Sequence, residues 1–555
     1  MRPLPFVALL LAPSAASQTL SIVVSEDDVI PGVGEISRID GVSIASDGTA
    51  FIEVDTDNPD TAADSVLLRN GVLFLREDQA LPLPPGARLG SFDGISAGPG
   101  GTVAMNLFLD GTTGTSDNSG IYFGDTLVLQ EGTASNAAAF APGTDYIGFF
   151  DAQIGAPDEI LVVASVDDPT ITSSVDRALV VLTIDGAGNL LGESVVALEG
   201  EILPGQTEPI ADFETGAEES DINASGQVIY GVDLAGDTAT DRALYLDGTL
   251  LAQEGSPSPI PGRNWGSLTS VEVDLNDAGD YVFRSDVDGD TADDDVIVRN
   301  GAVFRRAGET LPDIAPFVLE DFGSSIGVWL TASGDVIWFG EWSDPDSTRD
   351  EGIFFNDRLV LQKGVTTIGG SLVVDITDIT EQVHVAPDGS RMLVECEIDG
   401  PGGEIDVVVE IAFGLGTNYC DANANSTGVT ARIAVAGSDV AADNDLTLSA
   451  SSLPTFSFGF FLTSLDQGFV MNPGGSAGNL CLGGSIGRYV GPGQIQNSGA
   501  GGAFSLDVNL TQHPTPTGFV IVTAGDTWNF QAWYRDSVGG APTSNFTDGI
   551  ELSFR

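Results

Sequence analysis

The sequence predicts an all-β protein in two parts, a seven-bladed β-propeller over residues 18–413 and a C-terminal β-sandwich over residues 417–555. Three observations predict it. A turn-plus-strand signature recurs seven times at near-constant spacing, the last copy lacks a strand that the start of the chain supplies, and the rhythm changes after the Gly-Leu-Gly of residues 414–416. The 70 glycines, the Asp-Gly and Asn-Gly pairs and the absence of helical periodicity fit many short strands joined by tight turns.

From the beginning, Arg2, the apolar run Leu4 to Ala12 and the small residues Ser14-Ala15-Ala16-Ser17 read as a signal peptide over residues 1–17. That run is too short to cross a bilayer, which takes roughly 20 residues, and no later segment is long and uncharged enough. The expected address is outside the cytoplasm: extracellular, cell-surface or periplasmic.

The repeat signature is SDGTAFIEV at Ser46, PGGTVAMNL at Pro99, APDEILVVA at Ala156, NASGQVIYG at Asn223, NDAGDYVFR at Asn276, TASGDVIWF at Thr331 and APDGSRMLV at Ala386. The fourth turn residues, Gly48, Gly101, Glu159, Gly226, Gly279, Gly334 and Gly389, are spaced 53, 58, 67, 53, 55 and 55 apart. Each unit continues with a third strand ending in a hairpin turn, as in SVLLRNG or VIVRNG. A fourth strand then ends in an acidic-glycine, proline-bearing loop, as in LREDQALP or LEGEILPG. Four short strands in such a unit make one propeller blade. The seventh unit stops after EIDVVVEIAF at Glu404, and TLSIVVSEDDVIPG at Thr19 carries the missing fourth-strand pattern. An N-terminal strand that completes the last blade closes a ring, whereas a solenoid would have no use for it.

Asn276, Gly279 and Phe283, with Asn223, Gly226 and Tyr230 as a looser copy, resemble the N-x-x-G-x-x-x-F tandem repeat of a family of secreted bacterial proteins. The resemblance spans roughly residues 19–412; other units replace the Asn by Ser, Ala or Thr. It implies a repeat architecture and an extracellular address, and no activity.

After Thr417 the alternation in TARIAVAG, DLTLSA, FSFGFFL, AFSLDVNL and DTWNFQAWY predicts the sandwich. PGGSAGNLCLGGSIGRY and GDTWNFQAWYRD are similar to a C-terminal domain appended to diverse secreted bacterial proteins, which implies an attachment or presentation module. Cys420 and Cys481 are expected to form a disulfide in an exported chain, and Cys396 to be a buried strand residue.

The net charge of -61 is carried by the first part, since residues 417–555 hold only 10 acidic and 4 basic side chains. Such a field repels nucleic acid and anionic membranes and leaves cations, basic partners or solvation. Alternating aspartates around a glycine, Asp286, Asp288 and Asp290, suggest a weak calcium site. Loops with Asp55, Asp57, Asp60 and Asp64, or Asp233, Asp237 and Asp241, look alike but lack the full EF-hand spacing. On the strand DTWNFQAWYRD, Trp528, Phe530 and Tyr534 fall on the core face. Asn529, Gln531, Trp533 and Arg535 fall on the other, a pattern suited to stacking on a sugar. Two histidines, His384 and His513, and no nucleophile, zinc, Walker or dinucleotide motif argue against an enzyme.

The expected function is a secreted binding or structural protein, the propeller an acidic platform and the sandwich an attachment module, with an extracellular polysaccharide or a matrix or surface protein as partner. The rival expectation is a polysaccharide-acting hydrolase or lyase with carboxylates in the propeller channel. Acidic side chains converging there, rather than small apolar ones, would favour a site.

Overall fold

The computed structural model describes residues 18–554 apart from 172–175, 214–218, 269–271, 324–326, 333, 401, 414, 421, 438–440, 443, 445 and 500. The expected signal peptide lies outside the described residues. Among those residues the regular elements are β-strands, with only three-residue 3-10 turns beside them. Two compact units divide the chain, Leu20–Ala412 and a second that takes in Phe413–Arg555.

In the first unit the described strands form seven antiparallel sheets that follow the chain in order. The first sheet runs from Val29–Ile30 through Gly34–Ile44, Ala50–Thr56 and Ser65–Arg69 to Val72–Arg76. Its last hairpin turns at Asn70 (φ 51°) and Gly71 (φ 72°), the left-handed pair that a two-residue connection between twisted strands demands. The Asn70 side chain also accepts a hydrogen bond from Ala50 N at 2.8 Å. Asp247, Asn300 and Asn356 repeat that bond to Val228, Tyr281 and Val336 in the fourth, fifth and sixth sheets. Successive sheets pack face to face through shared apolar cores. Phe51, Leu67, Leu89 and Met105 join the first sheet to the second, while Ile44, Ile52, Leu393 and Val408 join the first to the seventh. Each such buried aliphatic side chain contributes roughly 1.5–3 kcal/mol.

The seventh sheet contains Gln18–Ser25 as its edge strand, beside Gly403–Phe413, Arg391–Gly400, Ser371–Ile376 and Thr367–Ile368. The acidic-glycine loop explains why this strand belongs there. Its glutamate caps the start of the neighbouring strand: Glu131 accepts from Asn118 N, Glu199 from Arg177 N, and Glu77 from Ser65 N. Glu26 does the same for Asp406 N at 3.4 Å across 380 residues.

In the second unit a six-stranded sheet holding Thr527–Val538 and Ala541–Ser553 faces a three-stranded sheet of Arg432–Gly437, Leu446–Ser451 and Phe504–Val508. Ile433, Leu448, Phe461, Phe530, Tyr534 and Ile550 fill the space between them. Cys420 and Cys481 form a disulfide with Cα atoms 6.1 Å apart, and Cys396 is buried and free.

Candidate functional site

The innermost strand of each sheet in the first unit ends in the repeat turn, and the motif residues have separate tasks there. Asn223 Oδ1 accepts from Ser225 N and Gln227 N, holding its own turn, while its Nδ2 donates 3.0 Å to Asn276 O of the next sheet. Asn276 repeats the pattern onto Ala278 N, Asp280 N and Thr331 O. Gly226 and Gly279 sit at φ 73° and 81°, where a Cβ is strained, and Tyr230 and Phe283 are buried in the cores between sheets. Where the Asn is replaced by Ala, Asp47 and Asp388 hold the turn through Thr49 N and Ser390 N.

Just before these turns a second set of side chains stitches sheet to sheet. Ser43 Oγ accepts from Ala97 N, Ser96 Oγ from Ile154 N, Asp221 Oδ2 from Leu275 N, and Asp274 Oδ2 from Leu330 N. His384 Nδ1 accepts from Ile44 N at 3.1 Å and so ties the seventh sheet to the first. Burial lowers the His384 pKa to about 4, so it stays a neutral acceptor through the ordinary pH range.

These strands enclose a cavity of about 410 Å³, lined from the first to the fifth sheet and from the seventh by Asp40, Glu53, Asp93, Asp151, Asp221, Asp274, Asp277, Glu381 and Asp388, with Trp329 from the sixth. None of its lining residues is lysine or arginine. Asp40 and Asp93 are the extra residues of bulges in their strands, between Ile39 and Gly41 and between Phe92 and Gly94, which frees them from the regular alternation. Burial, with the Asp40 charge second, pushes Glu53 up to about 8, and burial takes Asp151 up to about 7. Asp40 is raised by burial and by Asp55, and Asp93 by burial. The carboxyls of Asp221 and Asp274 hydrogen-bond each other, and both are raised, chiefly by burial. One proton held between such a pair is the cheapest arrangement for two acids in close contact. Asp40 Oδ2 and Gln153 Oε1 are buried at the cavity without a hydrogen-bond partner. The cavity can therefore both donate protons near neutral pH and hold a positive charge.

The structure does not bring the expected calcium ligands together. Asp288 accepts from Asn264 N, Asp290 from Ala292 N, and Asp286 lies against Asp295, which burial and that neighbour push up to about 8. Asp293 is spent on Arg263 and Arg306. Among the described residues no group of three or more His, Cys, Asp or Glu is placed to hold a metal ion. Asp290 caps its own turn, and Asp288 caps the backbone of the neighbouring loop at Asn264.

Of the four residues expected to form a sugar platform, the structure buries two. Gln531 is fully buried, its Oε1 accepting from Cys481 N and its Nε2 donating to Asn479 O and Thr547 O. Asn529 is buried as well and donates to Leu465 O. Trp533 is half-buried against Phe460, with ring centroids 5.0 Å apart, beside Leu462, Leu482 and Phe546. The hairpin of Gln467–Met471 and Asn479–Leu482 covers this face, and of the four residues only Arg535 is exposed. His513 is a core residue whose ring nitrogens meet Thr463 Oγ1 and Tyr489 OH. What the sequence reading missed is the ring of inward acids; its signal was the aspartate two places before the turn in ESDINASG and EVDLNDAG.

The fold is thus all-β and propeller-like in its first unit. A family of unknown function (DUF7453) matches residues 13–250, which run through the first three sheets and into the fourth. No curated protein matches the chain. Among solved structures it is similar to a neuraminidase-like protein of subtype N11 from A/flat-faced bat/Peru/033/2010 (H18N11), at 10% identity over 72% of this chain and 94% of that one, with a TM-score of 0.31. An α-L-arabinanase of Penicillium chrysogenum, complexed with arabinobiose, is similar at 10% identity over 72% and 98% of the two chains, with a TM-score of 0.26. A Trypanosoma rangeli sialidase is similar at 12% identity over 95% and 97%, with a TM-score of 0.28.

Proposed function

We propose that this is an exported binding protein: residues 18–413 a seven-bladed β-propeller clasped by Gln18–Ser25, residues 417–555 a β-sandwich for attachment, and the acidic cavity of the propeller the site for a small organic cation. The carrying observation is that carboxyls from six sheets meet at one cavity with no lysine or arginine among its walls. Burial and neighbouring charge favour the protonated forms of Glu53, Asp151, Asp221 and Asp274, so a cation that enters relieves the repulsion and displaces protons. A volume near 410 Å³ suits a small molecule. The repeat's likeness to secreted proteins and the Cys420–Cys481 disulfide support export.

Calorimetry with spermidine, in buffers of different ionisation enthalpy, tests the reading. Binding should strengthen as pH rises through the range from about 6 to about 8 in which Asp221, Asp151 and Glu53 lose their protons, and it should release protons. Absence of binding, or binding unchanged in Asp93→Asn and Asp151→Asn, would refute it. A second reading, a polysaccharide-acting enzyme, is favoured by one observation: Glu53 and Asp151 hold protons near neutral pH, as a general acid must. Release of reducing ends from a polysaccharide, lost in Glu53→Gln, would select it.

A further inference from the structure

Lys363 is the one lysine of the chain, in a sequence with 20 lysines and arginines together. Its position is unusual. It stands at the loop position that Glu26, Glu77, Glu131, Glu199 and Glu254 occupy in other repeats and Ala307 in the fifth, so the sixth sheet puts the rarest cation of the protein where most of its relatives carry an acid. Elsewhere ion pairs use arginine, as at Arg38, Arg177, Arg284 and Arg391. A charge alone would be served by arginine too; a primary amine has chemistry that a delocalised guanidinium lacks.

That amine bridges two sheets. Its Nζ is 3.0 Å from Glu351 Oε1 on the sixth sheet and 2.8 Å from Asp375 Oδ1 on the seventh. The Lys363 and Glu351 side chains are 19% and 15% exposed, while Asp375 is half-exposed on a cavity of about 490 Å³. We propose that Lys363 and Asp375 condense to an amide that staples the sixth sheet to the seventh, with Glu351 relaying the proton.

The ammonium passes one proton by way of Glu351 to the Asp375 carboxylate, leaving a neutral amine and a neutral carboxylic acid. The amine Nζ attacks Cγ of Asp375 and the C–N bond forms; Glu351 then takes the proton in excess on nitrogen and hands it to the hydroxyl that departs as the Cγ–O bond breaks. One water leaves through the cavity, and no oxidant or co-reactant is needed. The reactants are held at contact distance by the fold, so the step is intramolecular, which is where proximity gains most. Burial pushes Glu351 up to about 7, so that it takes and returns a proton at similar cost near neutral pH. Lys363 itself is held charged by the two carboxylates, which makes the transfer to Glu351 the required first step.

Mass spectrometry of the folded, reduced full chain tests this directly. The protein should be lighter than its sequence by one water, and peptide mapping should find the Lys363 peptide joined to the Asp375 peptide. Lys363→Arg, which keeps the ion pair and the fold, should restore the full mass, as should Glu351→Gln. A wild-type chain at its full mass after prolonged incubation at neutral pH overturns the proposal; loss of water persisting in Glu351→Gln overturns the relay.

Discussion

Replacing Asp151 by Asn separates the cost of a buried acid from its use. Asp151 accepts from Ala152 N at 2.7 Å, which an amide oxygen can still do, and the new NH2 would face Gln153, whose Oε1 has no partner. Burial lifts this carboxyl from 3.8 to about 7, so the folded chain keeps a proton that the unfolded chain has released. Stability from this group is therefore fully present below pH 4 and is lost as pH rises to about 7. At about 1.4 kcal/mol per pH unit the loss reaches about 4 kcal/mol, and solvent in the cavity brings it nearer to about 2 kcal/mol. Urea unfolding of the full chain, followed by tryptophan fluorescence, should show the variant matching the parent at pH 4 and exceeding it by about 2–4 kcal/mol at pH 8.5. An equal effect at both pH values, or a less stable variant at pH 8.5, would refute the argument.

Two further outcomes are expected. Deleting residues 18–25 strips the edge strand from the seventh sheet and leaves Gly403–Phe413 as an open edge paired only with Arg391–Gly400, so the first unit should melt well below the full chain; equal melting temperatures would show that this strand contributes nothing. Trp533→Ala should lower the stability of the second unit by about 3 kcal/mol, through the void left beside Phe460 and Phe546, without altering retention on any polysaccharide; loss of retention in a folded variant would return the residue to a binding role.

The repeat was legible because its markers are local: a left-handed glycine, an Asn that caps its own turn and an aromatic residue on a two-residue alternation each leave a trace in sequence. The pairing of Gln18–Ser25 with the last sheet was legible for the same reason, since Glu26 copies the cap seen at Glu131 and Glu199. The cavity was not. Asp40 and Asp93 point inward through bulges, and a bulge reverses the alternation by which a reader assigns faces. Among 81 acidic residues nothing marks those few. The cover over the face around Gln531 was not legible either: alternation tells which side chains share a face but not whether a hairpin, anchored by a disulfide, lies over it.

Glu26 N meets Asp406 O at 2.8 Å, and their partnership spans 380 residues. The earliest strand of the unit must therefore wait, unpaired, until nearly the whole unit has been synthesised. During that interval the lone first strand is an open edge to which any passing strand could add. Completion is then all-or-none with respect to length: a chain cut short before Gly403 cannot fasten its own start, however well its first six sheets have formed.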